Sequence, residues 1–483
     1  IDITGKEGKN KLTDNSNFFC LGPSGSGKSF HINSVVRQLH EQGTDVVMVD
    51  TGNSYEGLCE YLGGKYISYT EERPITMNPF RINREEYNIE KIDFLKNLIL
   101  MIWKGSDSQI PEIEFRIVEQ IIIDYYDAYF NGFTRYTDEQ REVLLKNLFA
   151  ASRKNPNKPP REVDEMVRKQ IEVLEARRAA LKVTELSFNS FFDYSFDRLE
   201  QICTENDITT ISYSTYSTML QPFYKGGAYE KILNETVDSA LFDETFIVFE
   251  VDAIKENKKL FPIVTLIIMD VFLQKMRIKK NRKVLVIEEA WKAIASPLMA
   301  EYIKFMYKTA RKFWASVGVV TQEIQDIIGS EIVKEAIINN SDVVMLLDQS
   351  KFRERFDGIK AILGLTDVEC KKIFTINRLE NKDGRSFFRE VFIRRGTTSE
   401  VYGVEEPREC YMTYTTERAE KEALKLYKAE LGCSHQEAIE AYCRDWQLSG
   451  IDKSLAFAQE VNKAGRVLHL DRKKRNNSQT IIQ

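Results

Sequence analysis

Short, unbroken apolar runs alternate with longer amphipathic stretches at two places in this chain, and between them the short runs disappear. NFFCL (17–21) and TDVVMVD (44–50) read as buried strands, with a helical pattern up to His40 between them. Strand, Gly-rich turn, helix and strand in that order predict a βαβ unit of a parallel sheet. From about residue 86 to 235 the pattern becomes helical. EFRIVEQIIIDYYDAYF (114–130) places apolar residues at spacings of three and four, and 138–154 and 161–182 are highly charged amphipathic stretches. NPNKPP (155–160) separates the last two, because each proline lacks a donor and restricts the residue before it.

Strand signals return at TFIVFEV (245–251), KVLVIEE (283–289), ASVGVVT (315–321) and DVVMLLD (342–348), with helical stretches between them. The simplest topology is one mostly parallel α/β sheet interrupted by an all-α insertion. RSFFREVFIRR (385–395) and TSEVYGVE (398–405) predict a late antiparallel pair, with an Asp-Gly turn signal in NKDGR (381–385) just ahead. The remainder reads as helices, one started by a capping box of Ser434 and Glu437, and then a basic tail, DRKKRNNSQ (471–479). The expected organisation is therefore 1–85 and 236–415 as two parts of one α/β domain, 86–235 as the insertion, and 416–483 as C-terminal helices.

Composition narrows the class. Gly and Pro are scarce, 24 and 11 of 483, which excludes collagen-like and Gly/Pro-rich disordered chains. The longest apolar run, FPIVTLIIMDVFL (261–273), is too short to span a bilayer and holds Asp270. Seven cysteines without a C-x-x-C pair, and four scattered histidines, argue against a disulfide framework or zinc site and for a reducing compartment. The net charge of −5 carries no chain-wide nucleic-acid footprint. The chain opens with Ile and reads as a piece of something longer.

The sharpest chemistry is Gly22-Pro23-Ser24-Gly25-Ser26-Gly27-Lys28-Ser29, a complete Walker A pattern between a strand and a helix, followed by Phe30. Its glycines let backbone N–H groups turn toward phosphates, and the next helix adds its positive N-terminus. Lys28 is expected on the β/γ-phosphates of ATP and Ser29 in the Mg²⁺ shell. VLVIEE ends in Glu288 and Glu289 and reads as Walker B, the first acid holding Mg²⁺ and the second polarising the attacking water. Alternation along a strand would send the pair to opposite faces. Gln322, after ASVGVVT, is a candidate γ-phosphate sensor, and Arg311 beside Lys312 a candidate arginine finger for a neighbouring subunit, with Arg385 and Arg394 next. Each has a plainer reading: a solvated strand end for the acids, a helix cap at Thr321, a helix C-terminal charge at Arg311. Asp50 reads first as a turn acid before Gly52, and Trp103, Trp291 and Trp314 as packing residues. The mixed charges of 161–182 read as a solvated face.

DTGNSY (50–55), LGGKYISY (62–69), MNPF (77–80), IEEAW (287–291), ARKFWASVGVVTQEIQD (310–326) and SDVVMLLDQ (341–349) follow Walker A in that order. Together these resemble the conjugative-transfer ATPases of type IV secretion systems, the TraG/VirB group of the HerA–FtsK superfamily, and most of all the TraG branch of conjugative transposons. The resemblance covers about residues 10–415 and departs from the family at Glu288, where Asp is usual. It implies a RecA-like P-loop motor with an all-α insertion, a Mg²⁺-dependent ATP hydrolase acting as a homo-hexamer, with a monomer in isolation as the alternative. It also implies secretion-channel components as partners, a place on the cytoplasmic face of the bacterial inner membrane, and a further N-terminal domain. The leading expectation is a motor energising assembly of, or transfer through, a conjugation apparatus. Rival readings are a DNA-translocating coupling-protein-like pump, a small-molecule kinase, and a nucleotide-gated scaffold with little turnover. DNA contact is compatible with the family but has no support in net charge.

Overall fold

The computed structural model describes residues 13–105, 108–131, 183–235, 239–289, 297–322, 337–378 and 388–468, with Lys146, Glu165 and Lys169 besides. The expected helices at 138–154 and 161–182, the NKDGR turn, Trp291, Arg385 and the basic tail fall outside these residues. The chain divides into two compact units, Ile1–Arg73 with Ser239–Gln483, and Pro74–Asp238.

In the first unit, β1 (Phe18–Leu21), α1 (Lys28–Glu41), β2 (Asp45–Asp50), α2 (Glu56–Tyr61) and β3 (Lys65–Ser68) come first. The second unit is helical. It contains α3 (Ile89–Lys104), α4 (Glu112–Phe130), α5 (Phe188–Glu205), α6 (Tyr213–Leu220) and α7 (Glu230–Asn234). Its centre is aromatic: Phe80 stacks on Phe191 at 4.9 Å and meets Tyr125 and Phe188 edge-on. Trp103 is buried there, as a packing residue should be.

The first unit resumes with β4 (Phe246–Glu250), α8 (Leu260–Ile278), β5 (Lys283–Glu288), α9 (Pro297–Ala310), β6 (Ala315–Thr321) and β7 (Val343–Leu346). Then follow α10 (Phe356–Leu363), α11 (Asp367–Ile373), β8 (Phe388–Arg395), β9 (Thr398–Glu405), α12 (Arg408–Tyr414), α13 (Arg418–Leu431), α14 (His435–Ser449) and α15 (Ser454–Ala464). Nine strands form one sheet in the order β3-β4-β2-β5-β6-β1-β7-β8-β9. The first seven are parallel, and β7–β8 and β8–β9 are antiparallel. Every expected strand is present. β3 was not expected as a strand; of its four residues Lys65 and Ser68 are exposed and the middle two half-buried, so it lacks the apolar run that marks the others.

Parallel strands covered on both faces tend to run apolar, and β1, β2, β4, β5 and β7 are buried at every position, with charged residues only at strand ends. Phe18 pairs with Gly318 in register. A Cβ on Gly318 would fall 2.0 Å from the Phe18 ring, so glycine makes room for that ring. The apolar run 261–273 forms the middle of α8, which is buried on nearly all sides, with Lys275 fully buried and ion-paired to Asp45 at 2.9 Å. No helix among the described residues is long and apolar enough to cross a membrane. The C-terminal helices α13–α15 close a core of their own around Tyr427, Tyr442, Trp446 and Phe457, and the Ser434–Glu437 capping box is formed.

Candidate nucleotide-binding site

In a parallel sheet, loops at the carboxyl ends of the strands converge, and the crevice there binds ligands. β1 runs between β6 and β7, so its outgoing loop, residues 22–27, is gripped from both sides. Gly22 donates its N–H to the Thr321 carbonyl at 3.0 Å, and Gln349 donates its amide to the Leu21 carbonyl at 3.2 Å. Ser26 N–H closes the loop onto the Pro23 carbonyl at 2.9 Å, and the Lys351 ammonium ties down the Ser24 carbonyl at 2.6 Å. Gly25 and Gly27 have φ of +81° and +87°, a region that a side chain would strain. Ser29 lies in the first turn of α1, its carbonyl accepting from the Asn33 side-chain amide at 2.9 Å.

Lys28 is 8% exposed and lies 2.5 Å from a Glu289 carboxylate oxygen and 3.4 Å from one of Glu288. Both acids thus turn to the same ammonium, which corrects the expectation that they point to opposite faces. β5 ends at Glu288, and Glu289 has φ +51°, so strand alternation stops between them. Burial pushes the Glu288 carboxyl above its usual range, and the Glu289 charge adds to this against the opposing pull of Lys28. Lys28 is raised: burial works against its charge, but the two carboxylates outweigh it.

Asp50 stands beside this group, and its oxygens accept the N–H groups of Gly52 at 3.0 Å and Ser54 at 2.8 Å. It therefore acts as the turn acid that its position before Gly52 suggested. Burial and the Glu288 charge push its carboxyl up to about 7, against those backbone hydrogen bonds.

The loop opens into a cavity of about 410 Å³ lined by Pro23–Gly25, Gly27–Ser29, Phe30, Gln322, Arg389, Tyr411, Tyr414 and Thr415–Glu417. Gly22, Pro23, Ser24, Gly25, Ser26, Gly27, Lys28, Ser29, Phe30, Glu288, Glu289 and Gln322 are thus gathered in one place. The Ser26 hydroxyl is buried inside the loop, against Gly22, without a hydrogen-bond partner. Arg311 is not gathered there. It is exposed in a 3₁₀ turn before β6, and that strand alone runs roughly 20 Å from Ala315 to Thr321 at about 3.3 Å per residue. Trp314 beside it is 61% exposed with φ +54°, so it is not the packing residue expected.

Sequence reasoning missed Arg389, Lys351, Tyr411 and Tyr414. Arg389 lies on β8 with its Cδ and Nε 3.9 Å from where a Cβ on Gly27 would stand. Nothing local marks it, because the pairing of β8 with β7 brings it in. A stronger local signal was the SDVVMLLDQ run, whose Gln349 and following Lys351 hold the loop.

The profile of the TraG P-loop domain matches residues 1–132 and 128–446. The chain belongs to this family. Protein TraC of Escherichia coli K12 is 25% identical over 342 residues, covering 70% of this chain and 32% of TraC. The type IV secretion system protein virB4 of Bartonella henselae is 21% identical over 324 residues, covering 67% of this chain and 32% of that protein. The chain thus spans about a third of the length of these relatives. The structure of VirB4 of Thermoanaerobacter pseudethanolicus superposes with a TM-score of 0.55 at 20% identity, covering 85% of this chain and 94% of that one. The fold is the α/β, RecA-like P-loop fold shared with that structure.

Proposed function

We propose that this chain is the ATPase part of a conjugative type IV secretion motor, hydrolysing ATP with Mg²⁺ to drive assembly of, or transfer through, the apparatus. The carrying observation is the Lys28–Glu288–Glu289 cluster at the foot of a cavity walled by a complete Walker A loop. The Gly25–Gly27 turn and Lys28 at the cavity wall support the fit of a phosphate, and Ser29 and Glu288 would hold the Mg²⁺. Bound Mg²⁺ would neutralise phosphate charge.

An incoming phosphate competes with Glu289 for Lys28. With Lys28 drawn to the phosphate, the Glu289 carboxylate is suited to orient a water and take its proton. Glu288, more deeply buried, stays by the loop, and Gln322 at the rim can hold the same water from the other side. Arg311 is too far away to serve its own cavity. Its exposure beside exposed Trp314 supports a role at a border between copies, as in a homo-hexamer whose sites are completed in trans. The similarity to a type IV secretion system protein, virB4 of Bartonella henselae, supports secretion-channel components as partners and a peripheral position on the inner membrane.

Phosphate release from ATP, measured with and without EDTA, in the intact chain and in Lys28→Ala, tests the proposal. Turnover that needs Mg²⁺ and Lys28 is expected. Turnover that persists in Lys28→Ala would sink it. Stimulation by DNA would favour the DNA-pump reading, and negligible turnover at all protein concentrations the scaffold.

A further inference from the structure

Among the described residues, the cations that line the cavity are Lys28 and Arg389. Lys28 is held by Glu288 and Glu289. Arg389 is exposed at the cavity wall and has no carboxylate partner among the described residues. Its Nη1 donates to the Phe388 carbonyl at 2.9 Å, and its other N–H groups have no acceptor among those residues. A guanidinium presents its donors in a fixed fork that matches two oxygens of a phosphate.

The sheet fixes where this side chain stands. The β7–β8 ladder sets Phe392 against Leu346, at the carboxyl end of β7, and Arg389 lies three residues further along β8 toward the phosphate loop. The next residue, Glu390, is 3% exposed. It accepts from the Asn377 N–H at 2.5 Å and returns its own N–H to the Asn377 side-chain oxygen at 3.2 Å. With Glu390 clamped inward, strand alternation turns Arg389 to the opposite face. That face meets the loop, which is why the Arg389 side chain comes within 3.9 Å of a Cβ placed on Gly27.

The two cations mark different parts of a nucleotide. Gly27 caps the start of α1, where the backbone of a P-loop cradles the α- and β-phosphates, and the loop lysine reaches on to the β- and γ-phosphates. Glu288 and Glu289, the acids at the γ-phosphate end, hold Lys28 and make no ion pair with Arg389. A guanidinium beside Gly27 therefore faces the phosphates that ADP and ATP share.

We infer that Arg389 is a second phosphate-binding cation of this site, reaching over the loop from β8 to the α- and β-phosphates and adding equally to the binding of ADP and ATP. It also offers an arriving nucleotide a charge that no acid has to give up first. The inference rests on the nucleotide-hydrolase reading above and adds a residue to that site.

The test is calorimetric titration of the full chain, with Mg²⁺, against ADP and against the non-hydrolysable ATP analogue AMPPNP. Arg389→Ala should weaken both by the same factor, about thirtyfold, the scale of one charge-assisted contact. Arg389→Lys keeps the charge without the fork and should fall between parent and Arg389→Ala for both ligands. Added salt should weaken the parent more steeply than Arg389→Ala. The ligand-free Arg389→Ala chain should melt with the parent, because the guanidinium holds only its neighbour's carbonyl, so that lost affinity is not lost folding. Unchanged affinity in Arg389→Ala would overturn the inference, as would a loss confined to AMPPNP, which would put the arginine on the γ-phosphate. A parent that binds neither nucleotide would refute the hydrolase reading and this inference with it, so the two failures are distinguishable.

Discussion

Removing Lys28 should do more than stop catalysis. The ammonium is 8% exposed, and its partner Glu288 is 3% exposed. At 3.4 Å and an effective dielectric of about 20, the attraction is roughly 5 kcal/mol. Truncation also relieves the cost of burying the lysine, and the net loss expected for breaking a buried pair is about 3 kcal/mol. At roughly 2–3 °C per kcal/mol, Lys28→Ala should melt about 6–9 °C below the parent at pH 8.

The deficit should depend on pH. The folded Glu288 carboxyl already lies above its usual range, and without Lys28 it rises further. A carboxyl that binds its proton more tightly folded than unfolded gains stability as pH falls from the folded toward the unfolded value. The melting gap should therefore narrow toward pH 5, and Lys28→Ala with Glu288→Gln should recover part of it at pH 8. Differential scanning fluorimetry across pH 5–8 provides the measurement. An unchanged melting temperature at pH 8, or a gap independent of pH, would refute the buried-pair reasoning.

Glu289→Gln should retain ATP binding yet turn over at least a hundredfold more slowly, by analogy with loss of a general base, whereas Glu288→Gln should raise the Mg²⁺ concentration for half-maximal rate. Steady-state rates against Mg²⁺ would expose an exchange of these roles. Arg389→Ala should weaken nucleotide binding by about 2 kcal/mol, a charge-assisted contact, in a fluorescent-nucleotide titration. Arg311→Ala mixed with Lys28→Ala should regain part of the activity that each lacks alone, and no recovery in mixtures shown to co-assemble would place Arg311 outside the reaction. Asp50→Asn should remove a stability slope. Asp50 titrates near 7 when folded and at an ordinary carboxylate value when unfolded, so its charge costs stability as pH rises through that window, and the variant's melting curve should be flatter there.

Most of the sheet was legible because buried parallel strands are apolar through their middles, as in DVVMVD and KVLVIE, where charge stands only at the ends. β3 was not legible, because at the sheet border KYIS buries little. Walker A could be read residue by residue, since its glycine positions follow from backbone geometry. The direction of Glu289 could not, because a positive φ at a glutamate has no local signature. Arg389 and Tyr411 were hidden for a different reason. They reach the cavity from more than 350 residues beyond the loop through strand pairing and helix docking, which no sequence spacing records.

The two borders of the sheet are closed to further strands. β3 is four residues long with exposed Lys65 at its start, and β9 carries exposed Glu400 and Glu405 in an alternating half-exposed pattern. A short rim at β3 and a charged one at β9 discourage backbone pairing with another molecule. Copies of this chain therefore have little means of joining by extending the sheet. Any ring they form must be held by side chains and loops, and such contacts can be loosened by salt or a single substitution and remade at each cycle of nucleotide exchange.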